Sequence, residues 1–73
     1  MMRQRLGQAI RELRLREGRT IIELAAQAGI ARETLIAVEG GKANPTLETL
    51  KRIARALGYS LSELVVHAEV RQE

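Results

Sequence analysis

Cysteine is absent from the 73-residue chain, so neither a disulfide nor a thiolate metal site holds it together. One histidine, His67, cannot build a zinc site without carboxylate help. Asp is missing as well, and the nine Glu are scattered over helical stretches rather than paired. No glycine-rich phosphate loop is visible. The chain therefore offers no acid–base pair and no activated nucleophile. An enzyme is not expected, and neither is a metal or a cofactor. Phe and Trp are absent, and Tyr59 is the only aromatic residue. No apolar run approaches the roughly 18 residues of a membrane span. The first stretch, "MMRQRLGQAIRELR", is charged throughout and lacks the apolar segment of a signal peptide. The expected compartment is the cytosol, with which the lack of cysteine agrees.

What remains is a short, helix-rich chain. Its length makes one small domain, with no room for a second core. Stability must come from packing alone, or from packing plus an oligomer interface. Twelve Lys and Arg against nine Glu give a net charge of +3. Residues 1–20 hold six Arg and two Glu, or +4; the remainder holds six basic and seven acidic residues, or −1. A modest basic bias suits a polyanion, and it suits a merely solvated basic helix equally well.

Hydrophobic spacing predicts five helices. Leu6, Ile10 and Leu13 make one stripe over residues 2–17, and Gly18 stops that helix. Thr20 and Glu23 form a capping box for a second helix, over 20–27, with Leu24, Ala25 and Ala28 inward. A third spans 31–39, with Leu35 and Val38 inward, and ends at Gly40 and Gly41. Pro45 breaks the chain before a fourth helix over 46–57, whose inner face is Leu47, Leu50, Ile53, Ala54 and Leu57. Gly58 closes it. Ser60 and Glu63 form another capping box, and a fifth helix carries Leu61, Leu64 and Val65. The expected fold is an all-α, compact five-helix bundle, with residues 1–66 as the domain and 67–73 as a tail. The tail "VVHAEVRQE" either extends helix five or, by its alternation of Val66, Ala68 and Val70 with His67 and Glu69, forms a short strand.

Helices two and three, joined by a short turn at Gly29, have helix-turn-helix spacing. Spacing of that kind occurs in any helical bundle. The residues themselves say more. "IRELR", the "ELA" of helix two, "AGI" in the turn, "VEGGK", "NPTLETL" and "IARALGYSLSEL" together resemble the lambda-repressor-like, Cro/cI-type (XRE) helix-turn-helix domain, from about Leu6 to Val65. The resemblance implies that helix two crosses the DNA backbone, with the N–H groups from Thr20 to Ile22 facing a phosphate. It implies that helix three enters the major groove, with Arg32, Glu33, Ile36 and Ala37 at the base edges. Thr20, Ile21, Lys42, Asn44 and Thr46 would hold the backbone. Arg14 and Glu39 match a family pair that locks helix three onto helix one. Arg3 and Arg5 would either reach a phosphate or remain solvated.

The sequence departs from the family at its reading surface. Ile21 replaces a usual Gln, Ile22 a usual polar residue, and Ala31 the usual polar N-cap. Ile36 and Ala37 stand where polar or basic residues are common. Three explanations compete. Ile36 and Ala37 pack on thymine methyls, with Arg32 on a guanine and Glu33 on a cytosine N4. Alternatively Ile21, Ile22 and Ile36 form a patch for a protein such as a toxin or larger regulator, as in an antitoxin-like or adaptor module. Or they are scattered surface residues of little effect.

Val65, Val66 and Val70 exceed the needs of a five-helix core, so they and Leu61 are expected at a dimer interface. His67 reads as an ordinary surface or interface residue. The expected protein is a homodimeric regulator of bacterial or phage type, a repressor or autoregulator, on a near-palindromic double-stranded operator. One lobe leaves little room for a small-molecule ligand. The stop after "VRQE", with no linker before it, suggests a complete protein.

Overall fold

In the computed structural model, which describes residues 2–70, each of five helices contributes one large side chain that is fully buried: Ile10, Leu24, Leu35, Ile53 and Leu64. The helices are α1 (Met2–Arg16), α2 (Ile21–Ala28), α3 (Arg32–Glu39), α4 (Leu47–Ala56) and α5 (Leu61–Val70). No strand occurs among the described residues. α1 packs on α3 and α5, α2 on α3 and α4, and α4 on α5. The core is wholly aliphatic; Tyr59 only flanks it. No helix among the described residues is long and apolar enough to cross a membrane.

The helix ends follow from the residues that flank them. At α2, the Thr20 hydroxyl accepts from the Glu23 N–H (3.1 Å), and the Glu23 carboxylate accepts from the Thr20 N–H (2.9 Å). Ser60 and Glu63 repeat this reciprocal pair at α5 (3.1 and 2.8 Å). Thr46 caps α4 by accepting from the Thr49 N–H at 3.1 Å. The N-cap of α3 is Ala31, which has no side chain able to cap it. Its other end is tighter. Gly41 has φ +72, and the Gly41 and Lys42 N–H groups donate to the Val38 and Ala37 carbonyls, both at 3.1 Å, the two bonds of a Schellman motif.

Two expectations need correction. Leu47, placed on the inner face of α4, is 62% exposed. It shares a stripe with Ala54, but it is the first residue of its helix, beyond the neighbours that cover the later turns. The strand reading of the tail also fails. α5 runs unbroken across residues 66 and 67 to Val70, and Ala68 is fully buried in the core, so the fifth helix passes through the expected domain boundary. Residues 71–73 of the tail lie outside the described part.

The sequence reading gave Gly7 no role, yet it fixes how closely α1 and α3 approach. A Cβ built on Gly7 would collide with the Val38 carbonyl oxygen and lie 2.7 Å from that of Glu39. Helix propensity favours Ala over Gly in a helix interior by roughly 1 kcal/mol. Here the collision is with backbone, which cannot rotate aside. Gly7→Ala is expected to lose about 1–3 kcal/mol net, as overpacked core sites do. A thermal melt should show Tm lowered by several degrees; an unchanged or raised Tm would mean that the two helices separate freely.

Candidate nucleic-acid interface

α3 stands on its inner face and presents its outer one. Leu35 and Val38 are buried, whereas Arg32, Glu33 and Ile36 are exposed and Ala37 is half-buried. Helical geometry puts 32 with 36 and 33 with 37, one turn apart on the same side. The four residues assigned to base edges therefore share one accessible surface.

A buried ion pair holds this helix in place. Arg14 donates from Nε to Glu39 Oε2 at 2.7 Å and from Nη2 to Glu39 Oε1 at 3.0 Å. Both side chains are more than nine-tenths buried. The remaining Arg14 nitrogen, Nη1, donates to the Arg19 carbonyl at 2.9 Å. The hydrogen bond to Glu39 raises the Arg14 pKa above its ordinary value, against the opposing effect of burial, so the guanidinium stays charged at any ordinary pH. Arg19 extends the network: its Nη1 donates to the Ala56 carbonyl (2.6 Å) and to Gln27 Oε1 (2.9 Å). The α1–α2 turn is thus tied to the end of α4.

The expected backbone contacts differ in what they have to offer. Lys42 and Asn44 are exposed in the loop after α3. The Thr20 hydroxyl uses a lone pair in its cap and keeps its proton for an outside acceptor. The Thr46 hydroxyl accepts from Thr49 N–H and also donates to Thr49 Oγ1 at 3.0 Å. The Thr20 N–H, expected to face a phosphate, is instead taken by the Glu23 carboxylate; the capping box satisfies it internally. Of that set, the N–H groups of Ile21 and Ile22 are the ones outside the cap.

The apolar patch expected from Ile21, Ile22 and Ile36 has a different shape. Ile21 is half-buried and packs on the core. Together with Ile36 it lines a concavity of about 380 Å³ whose other walls are Arg11, Arg14, Glu39 and Gly40. Ile22 is 62% exposed and takes no part in it. Arg11, given no role from the sequence, borders this edge of the site. Its spacing, four residues after Gly7 and three before Arg14, was the available signal. One turn before Ile36, Arg32 lies 3.8 Å from the neighbouring Glu33 carboxylate, both well exposed.

On α5, Val66 and Val70 are exposed, while Leu61 and Val65 are half-buried against the core. The expected interface set thus splits into two residues that serve this chain's own packing and two that face outward. His67 meets the Tyr59 ring edge-on at 5.2 Å.

A helix-turn-helix family profile matches residues 10–64. The chain belongs to that family of DNA-binding transcriptional regulators, of the lambda-repressor-like, XRE type. It is 41% identical over 64 residues to a helix-turn-helix transcriptional regulator of Sinorhizobium fredii, spanning 88% of this chain and 83% of that one. It is 37% identical over 60 residues to the immunity repressor of Bacillus phage phi105, spanning 82% of this chain and 42% of the repressor. The crystal structure of the clp gene regulator ClgR from Corynebacterium glutamicum superposes with a TM-score of 0.89 at 30% identity, covering 96% of this chain and 74% of ClgR. The chain is therefore a transcriptional regulator related to phage repressors, and its family is not one of enzymes.

Breaking the buried pair strands a charge, which costs on the order of 3 kcal/mol. Arg14→Met and Glu39→Leu should each destabilise by about that amount, and the double variant by clearly less than the sum of the two. Strictly additive losses in denaturant melts would show that the two residues do not act as a unit.

Proposed function

We propose that the chain binds double-stranded DNA sequence-specifically as a homodimer, on a near-palindromic operator, and acts as a repressor or autoregulator. The observation that carries this reading is the two-sided α3: Leu35 and Val38 buried on one side, Arg32, Glu33, Ile36 and Ala37 accessible on the other. A helix anchored so firmly can offer its outer face to a groove without losing its seat. Arg32 and Glu33 supply the hydrogen bonds to base edges. Lys42, Asn44 and the Thr20 hydroxyl supply backbone contacts. The repressor role is supported by the kinship with the phage immunity repressor.

The dimer reading is supported by the outward Val66 and Val70 of α5. Two reading helices then address half-sites roughly 34 Å apart, one turn of DNA. Sedimentation equilibrium should give a dimer for the full chain, and Val66→Glu should convert it to a folded monomer with weakened operator binding. A dimer that survives this change would place the interface elsewhere.

A selection from random oligonucleotides at moderate salt tests the reading as a whole: a dyad motif should emerge. On that motif, Arg32→Ala should reduce discrimination at one symmetric base position by about 1–3 kcal/mol. Lys42→Ala should weaken all sequences alike and reduce the salt slope by about 2 per dimer, one phosphate contact in each subunit. Recovery of no dyad would overturn operator binding, and uniform loss for Arg32→Ala would make that residue a backbone contact.

A further inference from the structure

Ile36 occupies the centre of the accessible face of α3, at 51% exposure, one turn beyond Arg32. It cannot form a hydrogen bond. The floor of a major groove presents mostly donors and acceptors: N7 and O6 of guanine, N4 of cytosine, N7 and N6 of adenine, O4 of thymine. Pressing an isoleucine against any of these removes their water and returns nothing. One group there is apolar, the methyl on C5 of a pyrimidine. Ile36 also shares with Ile21 one concavity walled by α1, α2 and α3, so a second apolar side chain lies near the one that faces outward. Ala37, beside it and half-buried, keeps that stretch of helix thin and lets its backbone sit close. Polar readout nearby is sparse. Arg32 is the one cation on this face of α3, and the Glu33 carboxylate is within 3.8 Å of it.

Resting on the operator reading above, we propose that Ile36 of each subunit receives the C5-methyl group of a pyrimidine in its half-site, and that this contact is a determinant of sequence preference. Position in the site follows from register. One helical turn advances about 5.4 Å, and bases along a strand are about 3.4 Å apart. The methyl therefore lies one or two base steps from the base that faces Arg32. Two sources carry such a methyl, thymine and 5-methylcytosine.

The test uses the 73-residue chain and two random-oligonucleotide pools, one of natural bases and one with 5-methylcytosine in place of cytosine. The expected result is a motif with thymine at one symmetric position in both pools, or with 5-methylcytosine enriched there only in the second. Removing that methyl, by deoxyuridine for thymine or cytosine for 5-methylcytosine, should weaken wild-type binding about fourfold per half-site, the worth of one buried methyl. Ile36→Ala should bind more weakly and lose this sensitivity. Its melting curve should match wild type, since the side chain lies outside the core. Ile36→Asn should shift preference at the same position toward adenine, which an amide recognises in two places. A motif whose methyl can be deleted without loss, or with equal loss in wild type and Ile36→Ala, overturns this inference and leaves operator binding standing. No motif in either pool overturns both.

Discussion

The joint between α1 and α3 is the constraint on which the rest of this structure depends. Three residues of α1 make it. Gln4 touches the position where a Cβ on Gly41 would stand, Gly7 admits the Val38 and Glu39 carbonyls, and Arg14 holds the Glu39 carboxylate in two hydrogen bonds. Their spacing, three and seven residues, puts them along one side of α1. α3 is only eight residues long and starts without a side-chain cap. Helices of that length are not stable on their own in water. What orients α3 is therefore mostly the surface beneath it: a bare Cα where the backbones come closest, buried aliphatics, and an ion pair at its far end. The pair is less a source of stability than of geometry, because the cost of desolvating two charges consumes much of their attraction.

The surface that this joint presents is chemically lopsided. In a helix-turn-helix regulator, charge gives affinity that any sequence can share, and base-edge contacts give preference. Here the excess positive charge is small and concentrated in residues 1–20. The capping box at α2 adds a carboxylate beside a helix start where a polyanion would approach. Of the four residues proposed for base edges on α3, Arg32 and Glu33 are polar and Ile36 and Ala37 apolar. On the operator reading, so small a charge excess leaves more of the affinity to fit than to non-specific attraction.

Much of the architecture was legible in the sequence, because the signals were local. Thr20–Glu23 and Ser60–Glu63 mark helix starts through bonds made within four residues, and Gly18, Gly29, Gly41 and Gly58, one after each of α1 to α4, adopt positive φ. Residue motifs likewise pointed to Arg14 and Glu39 as partners, 25 positions apart. The failures were non-local. Leu47 has the right spacing for the core but stays exposed in the first turn of α4. Gly7 looks like a defect in a helix until α3 is laid across it. Ile21 reads as a surface residue until its first turn is seen packed on the core. The tail alternates like a strand, but Ala68 is small enough to tuck into the bundle as the inner face of a helix.

α1 touches both α3 and α5, which gives it a mechanical meaning. One side of it seats α3, the helix proposed to face the groove; another seats the helix that carries the outward valines. In a dimer joined through α5, displacement between the two α3 helices would pass directly through two copies of α1, or by the longer route through α2 and α4. This rod of 15 residues, about 22 Å long, would be the direct link of such an assembly. On the operator reading, tolerance for half-sites a base pair too close or too far apart would depend on how far α1 and the α2–α4 pair can bend or slide, as well as on side chains in the groove.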